Sequence, residues 1–275
     1  MTNPNPEALI RAGEPAAALE ALQQLIRKEP QVAKHRVFLF QLLVTTGQWE
    51  RAKTQLSVVR ELDAATIPMA QTYSEALRCE VLREKVFAGS RSPLLFGEPA
   101  EWVAHVLQAL VHSSAGRVEQ AQSLRGAAFE SADATPGTLT VAGPDGEQDV
   151  DFEWLADADS RLGPVFEAVI NGKYYWVPSS AVAAVTIDAP EDLRDVVWTP
   201  AQFRWRNGGE AVALIPTRYP GSAAAEDPAF QLARKTDWSD AGHEEFRGIG
   251  QRVFATDAGD FGICDVRRIT YQVAE

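Results

Sequence analysis

The stretch "GEPAAALEALQQL", residues 13–25, decides the reading of the first half of the chain, because its pattern returns at residues 47–59 as "GQWERAKTQLSVV". Gly13 and Gly47 are 34 residues apart, and the same interval separates Ala18 from Ala52 and Leu22 from Leu56. A third copy, "GRVEQAQSL", begins at Gly116 and carries Ala121 and Leu124. It starts 69 residues after Gly47, two periods plus one residue. Repetition at a fixed period of this size marks stacked supersecondary units. Each glycine suits a helix end, where the chain turns at positive φ without a Cβ penalty. Each alanine lets a second helix approach closely, and leucines spaced by three and four form a buried stripe. Pro30 closes the first unit.

Period and pattern resemble tetratricopeptide repeats. The expected product is a curved helical scaffold whose groove holds a peptide or helix of another protein. The plainer alternative is an irregular helical bundle without a groove. The middle segment "MAQTYSEALRCEVLREKVFAGS" (69–90) keeps helical periodicity at Ala70, Tyr73, Leu77, Val81 and Leu82, but lacks the glycine–alanine signature. "SRSPLLFGEP" (90–99) reads as a loop, with the next helix beginning between Glu98 and Trp102.

The composition changes after "ATPGTLTVAGPDGEQ" (134–148). Five of the seven Trp, four of the five Tyr and seven of the twelve Phe follow residue 150. We therefore expect a helical domain over 1–135 and an antiparallel β-rich α+β domain, curved or barrel-like, over 136–275. In "PVFEAVINGKYYWVP" (164–178), Asn171-Gly172 signals a two-residue hairpin loop, since both positions need positive φ. That loop would set Val169 opposite Tyr174 and Glu167 opposite Trp176. "RNGGE" (206–210) separates two further strands, with Phe203 and Trp205 on one face and Arg204 and Arg206 on the other. "QRVFATDAGDFGICDV" (251–266) suggests a third hairpin, and "PEDLRDV" (190–196) a short helix.

At 275 residues with 45% hydrophobic content, the chain can bury substantial cores. It shows no apolar run long enough to span a bilayer and no secretory leader. Cys79 and Cys264 lie far apart and form no CxxC, which suits reduced thiols. The net charge is −12. Residues 1–130 hold 14 Lys+Arg and 14 Asp+Glu, so residues 131–275 hold 26 − 14 = 12 against 38 − 14 = 24. The whole excess is C-terminal, which argues against nucleic acid and anionic membrane as partners.

"DFEWLADADSRLG" (151–163) continues a run in which Asp145, Glu147, Asp149, Asp151 and Glu153 alternate with Val150, Phe152 and Trp154. In an extended segment this is a half-buried edge strand with a solvated acidic face that deters edge pairing. Asp157 and Asp159 raise the question of chemistry. A calcium loop is disfavoured, because Arg161 stands where a ligand is wanted and no glycine occupies the sixth position. A hydrolase or metal-binding enzyme using the two aspartates stays as the alternative. The structural reading is that one of them caps a turn and pairs with Arg161 or another arginine. His35, His105, His112 and His243 supply no ligand set, and no nucleophile elbow or phosphate loop is present.

The order of "WLADADSRLGPVFEAVINGKYYWVP", "PEDLRDVVWTPAQF", "IPTRYPGS", "RKTDW" and "GIGQRVF" resembles the ImpE family, also called SciE-type or TagJ-like virulence proteins. The resemblance implies a cytoplasmic, non-enzymatic accessory protein of type VI secretion systems, without cofactor or metal. Its implied partners are the N-terminal segment of the small contractile-sheath subunit, TssB, and indirectly the ATPase ClpV. The family's signature residues here include Trp154, Asp157, Asp159, Arg161, Gly163, Asn171, Gly172, Tyr174, Trp176, Pro178, Arg218, Tyr219, Thr236, Trp238, Gly250 and Arg252. Glycines, prolines and aromatics predominate, which suits a fold signature better than an active site. For partner contact the expected residues are Phe38, Phe40 and Trp49 in a helical groove, or Trp176 and Trp205 on the aromatic-rich half.

Overall fold

The computed structural model describes residues 5–98 and 100–272. The first half is helical: α1 (Pro6–Arg11), α2 (Pro15–Lys28), α3 (Ala33–Thr45), α4 (Trp49–Leu62), α5 (Ile67–Phe87), α6 (Glu101–Ser114) and α7 (Val118–Ser131). Gly13, Gly47 and Gly116 stand between α1 and α2, α3 and α4, and α6 and α7, at φ of 81°, 69° and 74°. Each turn closes alike. The glycine N–H reaches a carbonyl three residues back, and the next N–H one five residues back, as in Gly47 to Val44 and Gln48 to Leu43. Ala18, Ala52 and Ala121 are fully buried. The repeat thus maps onto three helix pairs, with the longer α5 between the second and third.

The described residues also form fourteen strands: β1 (Leu94–Leu95), β2 (Gly137–Gly143), β3 (Gly146–Phe152), β4 (Leu155–Asp157), β5 (Val165–Ile170), β6 (Lys173–Pro178), β7 (Val182–Ile187), β8 (Trp198–Trp205), β9 (Glu210–Pro216), β10 (Thr236–Asp240), β11 (Phe246–Gly250), β12 (Val253–Thr256), β13 (Gly259–Gly262) and β14 (Val266–Tyr271). Nine form one open sheet in the order β1-β6-β5-β9-β8-β7-β14-β2-β3. Its ladders are antiparallel except β1 with β6. β13-β12-β4 and β10-β11 make two smaller sheets. The large sheet ends on β1 and β3 and does not close into a barrel. The acidic strand β3 is one of those edges, with its carboxylates outward.

The Asn171-Gly172 turn sits at φ of 48° and 70° and sets Val169 opposite Tyr174 and Glu167 opposite Trp176. The segment expected as a loop, 90–99, contains β1, whose two residues join β6 through backbone bonds that apolar patterning does not encode. Residues 193–196 form a 3-10 turn held by a capping box between Asp192 and Asp195. Trp154 lies beyond the end of β3 and is 43% exposed, off the apolar face where alternation had put it.

Every residue of β5 is buried, because both faces of the sheet are covered. Val165 and Val169 belong to a core shared with helical residues such as Leu42, Leu56 and Val103, as do Trp176 and Trp198. Phe166, Ala168 and Ile170 face a second core with Phe254 and Leu155 of the small three-stranded sheet. The run of helices α1 to α7 ends at Ser131 and β2 begins at Gly137, yet one core runs across that boundary. Among the described residues no helix is long and apolar enough to cross a membrane.

Candidate functional site

The polar residues that stood out in the sequence converge at the junction of helices and sheet. Glu167 of β5 is wholly buried and accepts from Arg83 of α5 through Nε at 2.7 Å and Nη2 at 3.0 Å. It also accepts from Tyr174 Oη and from Arg252 Nη2. Arg252 pairs with Asp157 as well, and donates Nε to the Pro216 carbonyl at 2.8 Å. Asp157 Oδ1 accepts from the Asp159 backbone N–H at 2.9 Å and from Tyr219 Oη at 3.1 Å. Asp159 accepts from Arg161 Nε at 2.8 Å and from the backbone N–H groups of Arg161 and Gly248, both at 3.0 Å. On the helical side Arg83 donates to Glu80 at 2.9 Å, and Trp198 Nε1 donates to the same carboxylate at 3.3 Å.

Arg218 completes the cluster differently. Its guanidinium donates to the carbonyls of Thr45 at 2.7 Å and Val44 at 3.3 Å, and to that of Gln231. These include orphan acceptors at the end of α3, where a cation is also favoured by the helix dipole. Arg83, Arg161, Arg218 and Arg252 thus stand against Glu80, Asp157, Asp159 and Glu167, and the buried charges balance.

Electrostatics follow from burial and pairing. Burial opposes ionisation of Glu167, but the guanidinium groups of Arg83 and Arg252 outweigh it and hold the carboxyl down at about 2. Burial lifts Asp157 to about 6, with Arg252 pulling the other way. Arg252 itself is held more firmly protonated: burial works against the charge, and Asp157 and Glu167 overcome it. The pair is charged at neutral pH, and Asp157 gives way first on acidification. Burial brings Arg218 down to about 10.

A second buried anchor ties the other end of the helical half. Glu245, wholly buried, pairs with Arg125 of α7 and Arg247 of β11, and Ser113 of α6 donates to it at 2.5 Å. Burial raises its pKa, but the Ser113 and Arg247 hydrogen bonds and the Arg125 charge win and lower it.

Among the described residues, partly apolar recesses open on the surface. One, of about 410 Å³, lies among α1, α2, α3 and the 3-10 turn at 193–196, and is lined by Leu22, Leu25, Val37, Phe38 and Leu193 with Lys34 and Asp192. Another, of about 490 Å³, lies between the end of α7 and β4 and is lined by Phe129, Trp154, Leu155, Ala156, Pro164 and Ala255. A smaller cleft of about 150 Å³ opens on the charge cluster between Trp49, Glu84 and Arg218.

A family model described as "ImpE protein" matches residues 149–270, and a tetratricopeptide-repeat model matches residues 9–74. The type VI secretion system accessory component TagJ of Pseudomonas aeruginosa is 48% identical over 266 residues, covering 97% of this chain and 90% of that protein. The chain belongs to the ImpE family. The crystal structure of protein VPA1032 from Vibrio parahaemolyticus shares its fold, with a TM-score of 0.84 at 24% identity over 98% of both chains.

The ImpE match spans the residues expected as its signature, Trp154 to Arg252. Asp157, Asp159, Arg161, Tyr219 and Arg252 are linked by hydrogen bonds in the cluster, Tyr174 joins it through Glu167, and Asn171 and Gly172 form the β5–β6 turn. Trp238 of β10 packs its ring 5.4 Å from Tyr219 and stays 38% exposed. Of the expected partner contacts, Phe38 lines the first recess and Trp49 the small cleft, with Trp49 Nε1 donating to Glu84 at 3.0 Å. Phe40, Trp176 and Trp205 are interior and present no contact surface. Phe40 packs on Tyr73, Trp176 on Phe87, and Trp205 is stacked between Phe203 and Phe96. Arg218 holds the backbone carbonyls of Val44, Thr45 and Gln231. Arg83, Glu167, Arg125 and Glu245 were missed. A glutamate inside the otherwise apolar run "VFEAVI" was the one visible signal of a buried counter-charge.

Proposed function

We propose that this chain is a non-enzymatic adaptor of a type VI secretion system. It acts in the cytoplasm, docks the N-terminal segment of the small sheath subunit TssB, and so modulates how the ClpV ATPase handles the sheath. The observation that carries the reading is the near full-length, 48% identity to TagJ. It is supported by the engagement of the family's charged signature residues in a buried, charge-balanced brace. A brace of this kind holds two halves of a docking platform at a fixed angle. The recess at α1, α2 and α3 suits the apolar face of an amphipathic helix, with Phe38 as its anchor and Lys34 and Asp192 at its rim.

The enzyme reading built on Asp157 and Asp159 has one feature in its favour, since burial lifts Asp157 to about 6, toward the range of a general acid. Against it, both carboxylates are taken up by arginine, tyrosine and backbone donors. Among the described residues no group of three or more His, Cys, Asp or Glu is placed to hold a metal ion.

The test is titration of the full chain with a synthetic peptide of the TssB N-terminal segment. Saturable binding that Phe38→Ala weakens, with an unchanged circular dichroism spectrum, supports the role. Absence of saturable binding overturns it.

A further inference from the structure

The exposed Phe and Trp residues among the described ones are four: Phe129, Trp154, Trp238 and Phe246. Phe129, Trp154 and Phe246 border one stretch, residues 157–163, and Trp238 connects to it through Tyr219. Phe129 lies over Gly163, where a Cβ would come within 2.2 Å of its ring. Phe246 exchanges two bonds with Ser160, donating its N–H to Oγ at 3.0 Å and accepting from the Ser160 N–H at 3.1 Å. Trp238 packs on Tyr219, whose hydroxyl donates to Asp157. Trp154 and Phe129 wall the recess of about 490 Å³ described above. Isolated exposed apolar side chains need no explanation, but rings gathered around an apolar recess do.

The exposed, unpaired charge around the recess is negative. The segments 127–135, 153–160, 236–246 and 253–260 contain no Lys or Arg, and the bases that adjoin them, Arg125, Arg161, Lys235, Arg247 and Arg252, are already ion-paired with acids of this chain. Glu130, Asp133, Glu153, Asp240, Glu244 and Asp257 are exposed there, and none takes part in an ion pair. The acids of the same segments that are ion-paired, Asp157, Asp159 and Glu245, are buried with arginines from elsewhere. An apolar recess with the unpaired Asp133 in its lining, Glu130 and Glu153 next to its two rings, and Asp257 bonded to the Glu153 backbone is complementary to one kind of occupant. We infer that this surface is a second docking site, and that it takes a cationic amphipathic segment of a partner protein. Apolar side chains of that segment fill the recess, and its Lys or Arg side chains meet the rim, with a guanidinium able to stack on Trp154. The site shares no lining residue with the recess at α2 and α3, so two partners can be held at once.

The inference does not depend on TssB being the occupant of the first recess. It is tested by fluorescence anisotropy with a labelled amphipathic Leu/Lys peptide and its counterpart in which every Lys is Glu, against the full-length chain. The cationic peptide binds saturably, at least about tenfold more tightly than the acidic one, and more weakly as salt rises. Trp154→Ala, a change at an exposed ring that leaves the fold intact by circular dichroism, weakens it about tenfold, and Asp133→Lys combined with Asp257→Lys does likewise. Phe38→Ala leaves it unchanged. Equal affinity for the two peptides, or undiminished binding by Trp154→Ala, overturns the proposal, as does loss of binding in Phe38→Ala alone. The TssB titration is read separately, so either site can fail without the other.

Discussion

Arg83 of α5 donates two hydrogen bonds, at 2.7 and 3.0 Å, to a glutamate 84 residues further along the chain, Glu167 of β5. Both side chains are at most 3% exposed. Removing either takes one of two buried counter-charges from the other, leaving Glu167 with Arg252 alone and Arg83 with Glu80 alone. Glu167→Ala or Arg83→Leu is therefore expected to cost about 3–5 kcal/mol, read as a lowered denaturant midpoint. Because one apolar core crosses the junction, the unfolding curve stays a single transition followed by tryptophan fluorescence and by helical circular dichroism. Two separated transitions in the unmutated chain would show that the halves fold independently.

Acid stability has two limbs of opposite sign. Glu167 is held at about 2 in the folded chain, below its ordinary 4.5. Its stabilisation is present above pH 4.5 and is lost as pH falls toward 2, on the order of 3 kcal/mol in all. Asp157 is raised from 3.8 to about 6, so the folded chain takes up its proton first. That group favours folding increasingly as pH drops from 6 toward 3.8. The expected profile of the denaturant midpoint is flat or rising from pH 7 to about 4.5, then falling steeply. Glu167→Gln removes the steep limb, and Asp157→Asn removes the gentle one. A midpoint that declines steadily from pH 7 would contradict this assignment.

Two glycines at positive φ separate conformational cost from steric cost. Gly116, at φ 74°, has nothing within 4 Å of where a Cβ would stand. Alanine there costs about 1–2 kcal/mol for the left-handed conformation alone. Gly250, at φ 90°, would place a Cβ 1.9 Å from the Lys235 carbonyl oxygen and 2.8 Å from the Phe230 ring. Gly250→Ala is expected to exceed the Gly116→Ala penalty by at least about 2 kcal/mol, because the contact is with backbone that must shift. Thermal melts of the two variants, measured in parallel, check the ordering.

What could be read in advance follows from range. The helix-ending glycines, the Asn171-Gly172 turn and the alternating acids of β3 are local rules, and each set its element. Contacts distant in sequence were only partly legible. Asp159 and Arg161 are two residues apart, so their pairing was foreseeable, whereas Asp157 with Arg252 and Arg83 with Glu167 join stretches that each look complete alone. β1 escaped because two residues of backbone pairing leave no pattern. Alternation leaves Trp176 and Trp205 among the surface candidates, because it says only which residues share a face. It does not say that both faces of a sheet are covered.

Phe38 and Phe40 sit two residues apart on α3, nearly a half-turn round the helix, and they test whether burial or exposure decides their role. Phe40 is fully buried against Tyr73, with ring centroids 5.6 Å apart. Truncation to alanine leaves a cavity that packed helices cannot close, at a cost of about 3–5 kcal/mol in stability. Phe38 is half-buried in the wall of the first recess, and the same truncation removes mainly surface. Phe38→Ala is expected to change stability by less than about 1 kcal/mol while costing about 2 kcal/mol in binding of a TssB N-terminal peptide. Phe40→Ala, measured where it is still folded, keeps its affinity within about threefold, since its ring never meets the peptide. Calorimetric titration beside a urea melt for each variant gives both numbers. A Phe38→Ala protein that binds normally would move the anchor elsewhere, and one that unfolds would return Phe38 to the core.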